Sequence, residues 1–270
     1  MKGDALFEAF IGKEPQRFQI PKKQEISYRI AGGTSTILEK LAKNFSADEL
    51  QLSQKVTHLD AAETSIKVGT DNSLFVADLV ISTIPPQLLV NSVAFTPDLN
   101  ANLAQIANNT HTWMKDSIKF AIVYKTPFWK ESELSGASFS NVGPFTEMYD
   151  HSDFERHHFA LMGFLNGDLN KETKQYREEK VSQQLLKFFG EDGENYLSYE
   201  EQVWSNEALL SFQNDTFISP HFNNGHAIYQ QDFLDGKFIV AGSETSTKHG
   251  GYMEGAIHRG NQIVEQLKNS

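Results

Sequence analysis

The residues with the clearest chemical potential lie in one stretch, Phe238-Ile239-Val240-Ala241-Gly242-Ser243-Glu244-Thr245-Ser246-Thr247-Lys248-His249-Gly250-Gly251-Tyr252-Met253-Glu254-Gly255-Ala256. A short apolar strand ends at Gly242, where backbone can approach a ligand closely. Gly250-Gly251 then leads into a helix whose first N–H groups lack intrahelical partners and carry the positive end of the dipole. Such an end suits a phosphate or the electron-rich edge of a ring. The spacing alone is met equally by a plain strand–loop–helix connection with capping glycines.

Other candidates are single residues. Lys119 sits in the alternating run Ile118-Lys119-Phe120-Ala121-Ile122-Val123-Tyr124, where a lysine ordinarily belongs to a solvated face. Tyr252 and Trp204 read as core aromatics or as ligand walls. His157-His158 has no second ligand at metal-binding spacing, so no metal site is expected. No Ser/His/Asp grouping stands out. The chain has no cysteine, which excludes disulfides, thiol nucleophiles, cysteine-ligated metals and a cysteine-linked cofactor.

Several elements must position these residues. Gly32-Gly33-Thr34 opens a predicted helix with Ile37, Leu38, Leu41, Ala42 and Phe45 on one face, and Thr36 and Glu39 at capping-box spacing. Strands are predicted over 50–59, 65–68 and 73–84. The last, through Leu79-Val80-Ile81-Ser82-Thr83-Ile84, reads as covered on both faces and stopped by Pro85-Pro86. Residues 118–124 alternate with Ile118, Phe120, Ile122 and Tyr124 on one face, and 159–164 form another apolar run. A helix is predicted over 172–189, with Val181, Leu185, Leu186 and Phe189 on one side and Gly190 as its stop. Residues 237–241 and 252–267 read as a buried strand and a helix. Near the start, Leu6–Phe10 reads as a helical turn, broken by Pro15 and Pro21.

The chain has 270 residues, enough for about two domains at ~150 residues each. The net charge of −11 argues against a general nucleic-acid binder or a polybasic membrane-surface protein. Twenty phenylalanines argue for a packed core, and no apolar run approaches the ~18 residues of a membrane helix. A cytoplasmic protein is expected. The order of textures predicts two discontinuous domains: 1–99 with 206–270, and 100–205.

Four ordered motifs carry a resemblance. They are Arg29-Ile30-Ala31-Gly32-Gly33 with its helix, Ala77-Asp78-Leu79-Val80-Ile81-Ser82-Thr83-Ile84-Pro85-Pro86, Ile118-Lys119 through Pro127-Phe128-Trp129, and the Gly242–Ala256 stretch, with Trp204 in order between the last two. Together they resemble the flavin-containing amine oxidases, the monoamine and polyamine oxidase family. The resemblance implies a partial FAD-binding, Rossmann-like α/β domain with an inserted α+β substrate domain built on an antiparallel sheet. It implies FAD as cofactor, an amine as substrate, hydride transfer from amine to flavin, and oxygen as acceptor. By position, Gly242 and Glu244 would lie beside the ribityl–pyrophosphate region. Gly251, Tyr252 and Met253 would set a helix start against the flavin pyrimidine edge. Tyr252 would form one wall of an aromatic cage, and Lys119 would hold a water near flavin N5. Val56 would meet the adenine side through its backbone, with Thr83 nearby, and Trp204 would pack by the flavin.

Two departures from the family pattern stand out. The sequence contains no Gly-x-Gly-x-x-Gly turn, the unit that cradles the FAD pyrophosphate. The stretch after Trp204 lacks the family's glycines and its second cage aromatic, for which Phe212 or Phe217 is the substitute. The expected function is therefore an amine-oxidase part that does not retain FAD tightly alone and takes its dinucleotide-binding half from a partner chain. The alternative is a non-catalytic remnant acting as an oligomeric binding module.

Overall fold

The computed structural model describes residues 4–8, 14–19, 28–155, 157–210 and 217–269. In chain order the strands are β1 (Asp4–Glu8), β2 (Gln16–Phe18), β3 (Val56–Ala61), β4 (Ile66–Thr70), β5 (Leu74–Ala77), β6 (Val80–Ser82), β7 (Ala94–Thr96), β8 (Ile118–Tyr124), β9 (Leu134–Ser140), β10 (Phe145–Asp150), β11 (Phe159–Leu165), β12 (Ser198–Val203), β13 (Asp232–Phe233) and β14 (Phe238–Val240). The helices are α1 (Ser35–Ala42), α2 (Pro86–Ser92), α3 (Ala101–Asn108), α4 (Phe128–Glu131), α5 (Lys174–Phe189), α6 (Glu191–Glu194) and α7 (Met253–Lys268). No helix among the described residues is long and apolar enough to cross a membrane.

The chain divides into two units, one of residues 1–44 and 116–205, the other of 45–115 and 206–270. Residues 1–44 and 100–115 thus fall in other units than the expected division gave them.

The first unit is a seven-stranded sheet in the order β12-β8-β11-β10-β9-β1-β2. Strand β8 is fully alternating: Ile118, Phe120, Ile122 and Tyr124 are buried, while Lys119, Ala121 and Val123 are half-buried on the other face. The buried face packs with Val181, Leu185 and Phe188 of α5 and with Trp129 of α4. Helix α5 ends where predicted, at Gly190 with φ +66°, a conformation glycine adopts freely. Leu186, expected inside, is exposed. The expected helical turn at 6–10 is corrected: Leu6, Phe7 and Glu8 belong to β1, which pairs in parallel with β9, and residues 9 and 10 lie outside the described residues. Helix α1 forms but buries none of its residues. Its expected capping box is absent, because the Thr36 hydroxyl donates to the Gly33 carbonyl at 2.8 Å.

The second unit holds a four-stranded sheet, β5-β4-β3-β7, and a three-stranded one, β13-β14-β6. The predicted strand over 73–84 is two strands in two sheets, β5 and β6, and the one over 50–59 begins only at Val56. Ile81, expected to be covered, is exposed, because its face of β6 borders an open cleft. The proline pair both stops β6 and starts α2, where the missing N–H of a first-turn proline costs nothing.

One buried ion pair ties α5 to the sheet. The Arg177 guanidinium donates to Glu201 of β12 at 2.8 and 2.5 Å, with both side chains 6% exposed. Burial pushes the Glu201 carboxyl up, but the hydrogen bonds from Arg177 and Tyr199 outweigh it and hold the group below its ordinary value. A carboxyl depressed in the folded state stabilises above its unfolded pKa, and that contribution is lost as pH falls through the folded value. Arg177→Met is expected to cost about 3–5 kcal/mol near neutral pH, because it strands a buried carboxylate. Urea unfolding at several pH values checks this, and the gap from wild type should narrow in acid.

Candidate functional site

The site in the second unit is built on the parallel pairing of β6 with β14, in register Phe238↔Val80, Ile239↔Ile81 and Val240↔Ser82. The Ala241 N–H extends the ladder to the Ser82 carbonyl at 2.7 Å, so both strands end at one level. Thr83 and Gly242 therefore lie side by side. Gly242 has φ +107°, and a Cβ there would stand 3.3 Å from the Thr83 carbonyl oxygen. That is the left-handed region, and glycine is needed both for it and for the close approach.

The chain then makes one 3-10 turn, Ser243–Thr245, which rotates Glu244 inward. The Glu244 side chain is 6% exposed and accepts a hydrogen bond from the Ser243 hydroxyl at 3.0 Å. Burial dominates and pushes its carboxyl above the ordinary value, against the lowering effect of its backbone and Ser243 hydrogen bonds. The loop folds back on itself, with the Gly251 N–H on the Ser243 carbonyl at 3.0 Å. Gly251, at φ +84°, would bring a Cβ to 3.0 Å from the Trp113 Cβ. Tyr252 is the N-cap of α7 in extended conformation and gives it no side-chain cap. The N-cap side chain thus leaves the first backbone donors of the helix uncapped.

These elements line a cleft of roughly 550 Å³, with Thr83, Gly242, Ser243, Glu244 and Gly251 along its edge and Ile263 and Val264 of α7 as apolar wall. Of the residues singled out from the sequence, Thr83, Gly242, Glu244 and Gly251 are thus brought together. Tyr252 and Met253 follow at the helix start, both largely exposed. Val56 begins β3, where its side chain packs against the core of this unit. Lys119 and Trp204 belong to the first unit. Lys119 lies on the half-buried face of β8 with Nζ 5.9 Å from the centre of the Phe164 ring. Trp204 is half-buried in the turn after β12, its N–H on the Ser117 carbonyl at 3.0 Å.

Sequence reasoning missed the rings beside Tyr252. Trp113 and His221 stack at 4.3 Å, and His221 and Tyr252 at 5.3 Å. The His221 ring is fixed by Nδ1 donating to the Gly250 carbonyl at 3.0 Å. Phe217, expected as a substitute cage ring, is 84% exposed, and Phe212 lies outside the described residues.

The sequence pattern described as flavin containing amine oxidoreductase matches residues 12–267. The chain belongs to that family. Flavin-containing amine oxidase B of Canis lupus familiaris is 27% identical over 247 residues, covering 88% of this chain and 46% of that protein. Flavin-containing amine oxidase A of Equus caballus is 28% identical over 252 residues, covering 90% and 46%. The chain therefore spans about half the length of the curated relatives it matches. Putrescine oxidase bound to putrescine superposes with a TM-score of 0.76 at 22% identity, covering 88% of this chain and 53% of that one. Cyclohexylamine oxidase from Brevibacterium oxydans gives 0.73 at 23% identity, covering 87% and 53%. Both likenesses show the amine-oxidase fold: mixed α/β sheets corresponding to part of the FAD and substrate domains.

Glu244 supplies a test of the cleft. An acid whose folded pKa is raised costs stability once pH exceeds its unfolded value, and the cost is relieved as pH falls. Glu244→Gln keeps an acceptor for the Ser243 hydroxyl and removes the charge. Its thermal midpoint is expected to exceed that of wild type at pH 8, with the difference shrinking toward pH 5.

Proposed function

We propose that the chain forms the flavin-ring and substrate side of an FAD-dependent amine oxidase. The observation that carries this reading is the glycine-edged cleft, where a buried carboxyl with a single hydroxyl partner lies next to an uncapped helix start. The residues present fit the ring and ribityl end of FAD. Gly242 and Gly251 keep side chains out of the approach, and Glu244 offers hydrogen bonding to a polyol hydroxyl. The start of α7 turns a positive dipole end toward negative charge. The phosphate end has no such support, since the sequence contains no Gly-x-Gly-x-x-Gly turn. Tight retention of FAD therefore calls for a dinucleotide-binding half carried by other residues, such as a partner chain.

When bound, the flavin supplies a hydride acceptor that oxygen then restores. The residues of this chain do the remainder. Tyr252, braced by His221 and Trp113, forms an aromatic wall that attracts an amine before it loses its proton. Met253 and Gly251 hold the helix start in place. Lys119, on a half-buried strand face, would hold a water near flavin N5. Val56 would meet the adenine side through its backbone, with Thr83 nearby, and Trp204 would pack by the flavin.

A second reading has its own observation. Leu38, Leu41 and Phe45 in the α1 segment, and Ile257, Val264 and Leu267 on α7, are exposed. Such surface favours association, so a non-catalytic oligomeric module is the competing function.

Spectra after desalting decide between them. The chain saturated with FAD is expected to lose its flavin bands on a desalting column. Coexpressed with a protein that carries the Gly-x-Gly-x-x-Gly fold, it should keep them and release peroxide from amines. In that complex Lys119→Met should slow turnover by about 100-fold, the scale of a lost proton-handling group. A yellow chain alone would overturn the requirement for a second half. A flavin-loaded complex that releases no peroxide from any amine would leave the oligomeric reading, which light scattering on the chain then measures.

A further inference from the structure

One buried charge of the second unit has no part in the cleft. Ala256, Gly260 and Ile263 of α7 line the cleft, but Arg259 on the same helix does not. Its side chain is 3% exposed, and among the described residues no carboxylate pairs with it. Arg259 Nη1 donates to Gln230 Oε1 at 2.9 Å and Nη2 to the Tyr229 carbonyl at 2.5 Å, while Nε has no partner. Burial holds the guanidinium below its ordinary pKa, but an arginine keeps its charge at any pH a folded protein meets. Taking an unpaired cation out of water is costly, and an apolar side chain would fasten α7 without that cost. What the guanidinium adds is direction.

Arg259 fixes which way the Gln230 amide points. A guanidinium has donors only, so the Gln230 oxygen must face it and the NH2 must turn away. There Nε2 donates to the Thr245 carbonyl at 2.9 Å, and a carbonyl only accepts. The three groups thus admit one arrangement. The Tyr229 carbonyl that Arg259 also grips is itself anchored, since the ring is fully buried and its hydroxyl shares a hydrogen bond with Thr110 Oγ1 at 2.6 Å. Thr245, fully buried, closes the 3-10 turn Ser243–Thr245 with its N–H and hydroxyl both on the Gly242 carbonyl, at 3.3 and 3.0 Å. The carbonyl of Glu244, the residue before it, accepts from the Gly225 N–H at 2.8 Å. The peptide planes on both sides of Thr245 are therefore held from outside the turn, one by Gly225 and one by Gln230.

We propose that Arg259 is a positioning residue for Glu244, acting through the Gln230 amide on the turn that aims the carboxyl into the cleft. Arg259 sets Gln230, Gln230 sets the Thr245 carbonyl, and the turn so held has one direction. What the carboxyl meets in the cleft rests on the amine-oxidase reading above, in which Glu244 faces the ribityl end of FAD.

The test separates fastening the helix from aiming the acid. Gln230→Glu keeps an acceptor for Arg259, now as an ion pair, and takes away the donor to the Thr245 carbonyl. Its thermal midpoint is expected at or above the wild-type value. Hydrogen exchange of the Gly225 amide, which bonds the Glu244 carbonyl, should still quicken roughly tenfold, with the Ala241 amide of the strand ladder unchanged. Equilibrium dialysis of the full chain against FAD should give a dissociation constant raised about 3- to 10-fold, the scale of one hydrogen bond. Arg259→Met should weaken FAD binding to the same extent, and Arg259→Met with Gln230→Met no further than Gln230→Met alone. Losses that multiply in the double variant, or wild-type exchange at Gly225 in Q230E, would overturn the relay. If Arg259→Met fails to fold, Gln230→Glu decides by itself. Faster exchange with unchanged FAD affinity would keep the relay and overturn Glu244 as a flavin contact. If wild type takes up no FAD, the flavin reading falls, and exchange at Gly225 still decides the role of Arg259.

Discussion

The cleft depends on one short pairing. Three residues of β14 lie parallel to three of β6, and the ladder runs one bond further, from Ala241 to Ser82. Parallel neighbours must be joined by a long connection, and here about 150 residues separate them in sequence. All that follows is local. Because the strands end together, Thr83 and Gly242 face each other at backbone distance, and the turn after Gly242 has one direction to take. That turn aims Glu244 inward and sets Gly251 against Ser243, which fixes the start of α7. A slip of one residue would turn Ile81 and Ile239 over and carry the glycine away from Thr83. The fully buried residues Phe238 and Val240 hold the register through their packing in the core.

The sheet of the other unit solves a different problem with the same periodicity. One face is a conventional apolar layer against α5, fastened by the Arg177–Glu201 pair. Its opposite face mixes Lys119, Glu147 and Tyr149 with Phe164 and Phe139, half-buried rather than solvated. A face of that composition is too polar to be core and too aromatic to be plain surface. The bulge at Phe145–Glu147 marks the difference between the two faces, since it changes which side of the sheet the following residues address.

Elements whose signal is local were legible in the sequence. The alternation of 118–124 returned as β8, the glycine stop at 190 as the end of α5, and the strand–glycine–helix order of 238–256 as the frame of the cleft. The motifs that carried the family resemblance are of this local kind. Features decided by distant contacts were not legible. Residues 73–84 read as one strand, yet the chain divides them between two sheets according to which partners lie nearby. The Thr36–Glu39 spacing gave no cap, whereas Glu49 accepts from both the N–H and the hydroxyl of Ser46 at the same spacing. The stack of Trp113, His221 and Tyr252 joins three distant segments, and no spacing rule connects them. The side on which Glu147 lies depends on a bulge, which simple period-2 counting reverses.

On the function proposed above, Glu244 is placed for a ligand rather than for stability. A carboxyl group placed among apolar walls, with only its own backbone and the Ser243 hydroxyl as partners, loses more hydration than it regains. A core selected for folding alone would carry an amide or an apolar residue at that position. Retaining an acid there makes sense when something else completes its hydrogen bonds. The adjoining glycines leave room for that group, and the uncapped helix start offers the opposite charge beside it. On that proposal, the local cost in stability and the binding of a ligand are two aspects of the same arrangement.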